Sequence, residues 1–453
     1  MSASPPPDGM PVRASRILRV RKIWLIPVTI AAVFVALMSV IYFGSVVNPT
    51  GHLHGLPVMV VNQDVGTTAH GQRVDVGASL VSALEHSGDI TSRLKLRTTT
   101  LGQAQAAMDR GAAYATLVLP STLSRSALVA TGAGDHGVGV PAKASVELLE
   151  NSRLGSLGVN LAAGVMTPAI TKISPQIGTK LKPLATPAAA SDPVAAAQLA
   201  DPVALTTATY RPLPDHSALG LSAFYIALLA IMSGFVAATL INASIDSALG
   251  YGATELGPRW RHRRPVAINR RQTLLVKWCT ALVAAPLLSG LLLLISAGVL
   301  HMYAPHILLL WLLTAFASLM IATGTLALLA TFGSIGQLLA MILLVYLSLA
   351  SSGGTVPIQA LPGFFKVVGQ VEPLRQVLTG TRAIMYLGAR GDAGLTHSLI
   401  LIACELTFWA LIGFAVTSWY DHKRLYRIAP DVFAAVSRAI DRTVQERATI
   451  DGA

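Results

Sequence analysis

LLVKWCTALVAAPLLSGLLLLISAGVLHMYAPHILLLWLLTAFASLMIATGTLALLA, residues 274–330, holds one formally charged side chain, Lys277. A single helix through it would extend beyond about 80 Å at 1.5 Å per residue. The hydrocarbon core of a bilayer is only about 30 Å thick. HMYAP (301–305) interrupts the run, and Pro305 disfavours a continuous helix there. The stretch therefore reads as two membrane crossings, 274–300 and 306–330, joined by a short turn.

Four more apolar runs flank this pair, at 23–44, 217–241, 335–351 and 395–419. The first, IWLIPVTIAAVFVALMSVIYFG, follows RASRILRVRK. It is too long for the apolar core of a signal peptide and lacks a clean A-x-A site, so it reads as an uncleaved anchor. Composition agrees: 53% of the chain is hydrophobic and 12% charged, against roughly 25% charged in soluble domains. The expected fold is a polytopic α-helical membrane protein with six transmembrane helices and an extracytoplasmic α/β domain inserted between helices 1 and 2.

Charge placement orients the spans. Arg13, Arg16, Arg19, Arg21 and Lys22 precede the first span, and six arginines (Arg259, Arg261, Arg263, Arg264, Arg270, Arg271) lie between the second and third. DHKRLYR (421–427) follows the sixth, whereas HMYAP carries no Lys or Arg. Six crossings put the basic segments on one side, and cytoplasmic loops carry the Lys/Arg excess. The expected location is a bacterial cytoplasmic (inner) membrane with both termini cytoplasmic. The net charge of +12 thus marks topology and contact with anionic lipids, and nucleic acid is not an expected partner.

The expected division is a basic tail (1–22), helix 1 (23–45), an outer domain with a Pro/Ala-rich return (46–216), a five-helix membrane domain (217–419) and a cytoplasmic tail (420–453). The membrane domain includes a cytoplasmic loop at 242–273 and an outer segment at 352–394. In the outer domain, LPVMVVN (56–62), LKLRT (94–98) and AAYATLVLP (112–120) read as strands. Helices are expected at 76–88, 100–111 and from 121, giving a small α/β unit with a partly parallel sheet. TGAGDHGVGVP (131–141) reads as an insert, 143–166 as a helix and 168–216 as an extended return.

The chain contains no GxxxxGK[ST], HExxH or GxSxG pattern, which argues against an enzyme or a resident cofactor. Asp64 and Asp75, with His52, His54 and His70 nearby, read as turn chemistry rather than metal ligands. Cys279 and Cys404 lie in apolar runs without metal or redox spacing. Glu405, inside the sixth run, is costly in hydrocarbon. It is either a functional carboxylate or a hydrogen-bonded packing residue. Lys277, at the start of the third run, is expected near the cytoplasmic surface, where it can snorkel, and is not expected to pair with Glu405.

SSGGTVPIQALPGFF (351–365) is too apolar for an ordinary loop and too interrupted for a span. With the sequence to 394 it reads as two short helices at, or dipping into, the outer surface. LPVMVVNQDVG (56–66) and GAAYATLVLPSTLS (111–124) resemble the YhgE/Pip group, also called phage infection proteins. SSGGTVPIQALPGFFKVVGQVEPLRQVLTGTRAIM (351–385) resembles the membrane domain of type-2 ABC exporters. The resemblance implies a permease moving a lipid, a cell-wall precursor or another amphiphile, with a separate cytoplasmic ATPase and a homodimer or pseudo-symmetric heterodimer. The alternative is a non-transporting envelope scaffold or secretion accessory that binds through its outer domain. Candidate translocation or gating residues are Pro357, Pro362, Phe364, Phe365, Pro373 and Glu405. Between spans two and three, a short amphipathic coupling element is expected, with Asp246, Tyr251, Glu255, Arg259, Arg261, Arg263 and Arg264 as candidate contacts for the ATPase or lipid headgroups.

Overall fold

The computed structural model describes residues 19–132, 143–252 and 263–428, the backbone of 254–256 and 259–261, and residues 433, 434 and 438. Six helices within it are long and apolar enough to cross a membrane: Arg21–Val46, Ser222–Ala248, Arg270–Val299, Ile307–Phe332, Ser334–Ser351 and Leu395–His422. The fourth span is the axis of the bundle, with every residue from 320 to 329 buried. A Cβ at Gly234 would sit 2.4 Å from the Ser318 carbonyl, so the second span lies backbone-close to the fourth. The Ser233 and Ser318 hydroxyls meet at 2.9 Å across this contact. Small residues and buried hydroxyls are how membrane helices gain close packing. Gly333, at φ +63°, separates the fourth and fifth spans. Beyond it a Cβ at Gly336 would strike the Leu328 carbonyl at 2.2 Å, so the hairpin needs glycine there. Outward, Val33, Leu287 and Leu411 are mostly exposed, as side chains facing lipid would be.

Between the first two spans the chain builds a five-stranded sheet in the order β4-β1-β5-β6-β7. Its strands are β1 (Leu56–Asn62), β4 (Leu94–Thr98), β5 (Ala115–Leu119), β6 (Ala144–Glu150) and β7 (Val203–Thr209). Strands β2 (Thr67–Ala69) and β3 (Gln72–Val74) form a separate hairpin. Within the five-stranded sheet β1 runs parallel to β4 and β5, β6 runs parallel to β7, and β5 with β6 is antiparallel. Parallel pairs need crossovers, and helices such as Val76–His86 and Ser156–Leu181 occupy them.

Two expectations in this region are corrected. Residues 144–150 form β6 instead of opening a helix, because ASVELLE alternates buried and exposed side chains over its first five positions. The expected extended return instead contains the rest of helix Ser156–Leu181, two short helices and β7. Pro168 and Pro175 lie inside that helix without ending it. The insert expected at 131–141 falls largely outside the described residues.

The family-like turn after β1 is structural. Asp64 accepts from Gly77 N–H at 2.9 Å and Ser124 N–H at 3.1 Å, so one carboxylate caps two helix starts. Asp75 caps Val76–His86 through Ala78 N–H at 2.8 Å. The sheet's main core continues without a break into Ala350, Val356, Ala360, Leu361 and Phe365. The sheet therefore sits directly on the segment after the fifth span. We call this the domain end of the bundle, and the opposite side the basic end.

Candidate functional site

At the domain end, the stretch around Gly353 and Gly354 is held from several sides. Gly353 adopts φ +72°, a conformation glycine takes without steric cost. A Cβ at Gly354 would lie 2.2 Å from the Phe224 ring, so the second span packs on bare backbone. His54 N–H donates to the Gln359 carbonyl at 3.0 Å, tying in the segment that leads to β1. Arg382 donates to the Gly354 carbonyl at 3.1 Å, and one of its terminal nitrogens lies 3.3 Å from where a Cβ on Gly155 of the sheet region would be.

Pro357 precedes the short turn Ile358–Ala360, and Pro362 precedes helix Gly363–Val368. Phe365 is buried in the sheet's core, whereas Phe364, Val367 and Val371 are 63%, 67% and 69% exposed. The short helix thus has one side bound to the domain and an apolar side left open. Pro373 starts helix Pro373–Tyr386, where its missing N–H costs nothing. That helix is buried along most of its length and packs against the second, fourth and sixth spans. It lies inside the bundle.

This helix runs antiparallel to the sixth span. A Cβ at Gly394 would touch Thr379, and Ser398, one turn on, donates to the earlier Gln376 carbonyl at 2.6 Å. Glu405 lies two turns beyond Ser398, about 10 Å, and Glu372 one turn before Gln376, about 6 Å. The two carboxylates therefore face one another, and they interact electrostatically. Glu372 is 8% exposed, and its Oε2 has no hydrogen-bond partner; neither has the buried Oε1 of Glu405. Burial pushes the Glu372 carboxyl up to about 8, opposed only by the Ser348 hydroxyl that bonds it. Glu372 is therefore largely protonated at neutral pH. Sequence reading singled out Glu405 and missed Glu372, which looks like an ordinary residue before a helix-starting proline.

At the basic end, Asp246 is half-buried in an ion-pair network. Its Oδ1 accepts from Lys277 at 2.7 Å and Arg427 at 2.6 Å, and its Oδ2 from Arg427 at 2.8 Å. Lys277 also donates to Asn242 at 2.7 Å. With its side chain 7% exposed, Lys277 is held by the Asp246 carboxylate at the basic ends of the spans. Asp421 accepts from the N–H groups of Arg270 and Arg271 at 2.9 and 3.0 Å, capping the third span. Arg427 stacks on Tyr251 at 4.6 Å, while the Tyr251 hydroxyl donates to Val266 at 2.8 Å. These contacts clamp the segment after span six onto the link between spans two and three.

Asp246 and Tyr251 are thus engaged within the chain. The expected amphipathic element is a two-stranded ribbon, Thr254–Leu256 with Arg259–Arg261. The side chains of Glu255, Arg259 and Arg261 lie outside the described residues, whereas Arg263 and Arg264 are exposed. Among the described residues, no three His, Cys, Asp or Glu side chains are grouped to hold a metal ion.

Residues 22–415 match the family model described as ABC-2 family transporter protein. A shorter stretch of 92 residues is 32% identical to the uncharacterized protein YhgE of Bacillus subtilis (strain 168). That match covers 18% of this chain and 11% of the relative.

Proposed function

The chain belongs to the ABC-2 family of transporter membrane proteins, and from that premise we propose that it is the permease subunit of an exporter driven by an ATPase on a separate polypeptide. The cargo class we propose is a lipid, a cell-wall precursor or another amphiphile. The basic end faces the cytoplasm of a bacterial inner membrane, with both termini there, and the sheet faces outward. Two such membrane domains, identical or pseudo-symmetric, frame the path.

The observation that carries this reading is the re-entrant helix Pro373–Tyr386. A buried helix that enters and leaves from one side is a natural closing element. Arg382 ties it to the Gly354 carbonyl, and through that segment to the outer sheet. A cargo reaching the domain end has to displace it. At the other end, the basic ribbon and exposed Arg263 and Arg264 offer the ATPase a docking face beside the clamp that joins spans two, three and six. Affinity purification of the full chain from native membranes in mild detergent, followed by quantitative mass spectrometry, tests the reading. The expected result is a stoichiometric ATPase; a reproducible complex without one refutes it.

A further inference from the structure

A cavity of about 380 Å³ opens at the basic end between spans two, three, four and five and the segment after span six. Three cations line it, Arg270, Lys277 and Arg427, against one carboxylate, Asp246. Both Asp246 oxygens are already taken by Lys277 and Arg427. The lining therefore keeps an excess of positive charge. Arg270 spends its Nε on the Leu425 carbonyl at 2.8 Å, and its two terminal nitrogens make no hydrogen bond among the described residues. Lys277 spends two of its three donors, on Asn242 and Asp246.

The rest of the lining suits the same charge. Gly333, Ser334 and Gln337 open the fifth span, which continues to Ser351, and they face this space. The free N–H groups and dipole of a helix start favour an anion. The Thr273 and Thr331 hydroxyls also line the space, each already donating to a carbonyl of its own helix. Lys277 lies two turns inside the third span, about 10 Å from Arg270. With the basic end facing the cytoplasm, as proposed above, this end of the bundle lies at the level of the lipid headgroups.

We propose that this cavity binds a phosphate group, carried by an anionic phospholipid of the surrounding leaflet. The lipid phosphate would neutralise the charge left over from the Asp246 network and brace the clamp formed by spans two, three and six. The site is independent of whether the chain exports anything.

The test uses the purified full chain in nanodiscs and detergent, with lipid retention read by native mass spectrometry and thermal stability read in parallel. The probes are phosphatidylglycerol, phosphatidylcholine and inorganic phosphate. Wild-type protein should retain phosphatidylglycerol in preference to phosphatidylcholine and be stabilised by it. Stabilisation by phosphatidylglycerol but not by inorganic phosphate assigns the lipid as ligand; stabilisation by inorganic phosphate as well assigns the phosphate alone. Arg270→Gln should weaken retention about tenfold, the worth of a charge-assisted hydrogen bond. Ser334→Asp places a negative charge in the cavity while favouring its own helix start, and should abolish retention without unfolding. Lys423→Gln, outside the lining, should change nothing. Equal retention of the two lipids with no response to inorganic phosphate overturns the proposal. So does a wild-type response in both Arg270→Gln and Ser334→Asp.

Discussion

Replacing Glu372 by glutamine should stabilise the protein in alkaline solution and change little in acid. The folded state holds this carboxyl up to about 8, and its ordinary value is 4.5. Between those values the unfolded chain binds fewer protons than the folded one, so stability falls as pH rises. The shift costs the fold about 1 kcal/mol at pH 5, about 3 at pH 7 and nearly 5 at pH 9, as upper figures. The groups facing it are the Ser348 hydroxyl and the Glu405 carboxyl, and neither supplies a positive charge. Glutamine keeps the shape and never ionises, so its advantage should grow by about 4 kcal/mol at most from pH 5 to pH 9. Thermal unfolding of detergent-solubilised wild type and Glu372→Gln, followed by tryptophan fluorescence across that range, measures the difference. The melting curves should lie closest near pH 5, separate progressively to about pH 8 and level off above it. A constant offset at every pH would refute the buried-acid assignment.

Other consequences follow from the same contacts. Asp246→Asn leaves Lys277 and Arg427 without their carboxylate and should cost about 3–5 kcal/mol, as for a broken buried pair; an unchanged denaturant midpoint would contradict the network. Gly354→Ala drives a methyl into the Phe224 ring and should cost about 1–3 kcal/mol, partly restored by Phe224→Leu. A neutral Gly354→Ala in thermal unfolding would mean that the second span does not rest on that backbone. Glu405→Gln and Glu405→Ala separate charge from packing: if only the alanine variant lowers cell-based export or stability, Glu405 packs, and loss of export in both assigns it a working carboxyl.

The spans were legible because apolar length is a local property: 57 residues with one charge admit few readings. Strand β6 was lost because its seven residues lie between an insert and a glycine-rich helix, where a short alternation is easily absorbed into a helical pattern. The clamp was illegible for another reason. Asp246 and Arg427 are 181 positions apart, and nothing local to either marks the other as its partner. Read from its own neighbours, Asp246 is a candidate contact for an ATPase or lipid headgroups, and the cations that hold it lie on other elements. Glu405 could be found because a carboxylate in an apolar run is conspicuous. Glu372 could not, because its burial depends on how the re-entrant helix aligns against span six.

The most direct measurement concerns Thr381, fully buried in the re-entrant helix. A single cysteine there, with Cys279 and Cys404 replaced by serine, is probed with a membrane-impermeant thiol reagent in native vesicles that retain the chain's partners. The account predicts no labelling without ATP and labelling during ATP turnover, because the helix closes the path and must move for export. Equal labelling with and without ATP, in vesicles shown to contain the bound ATPase, would contradict it.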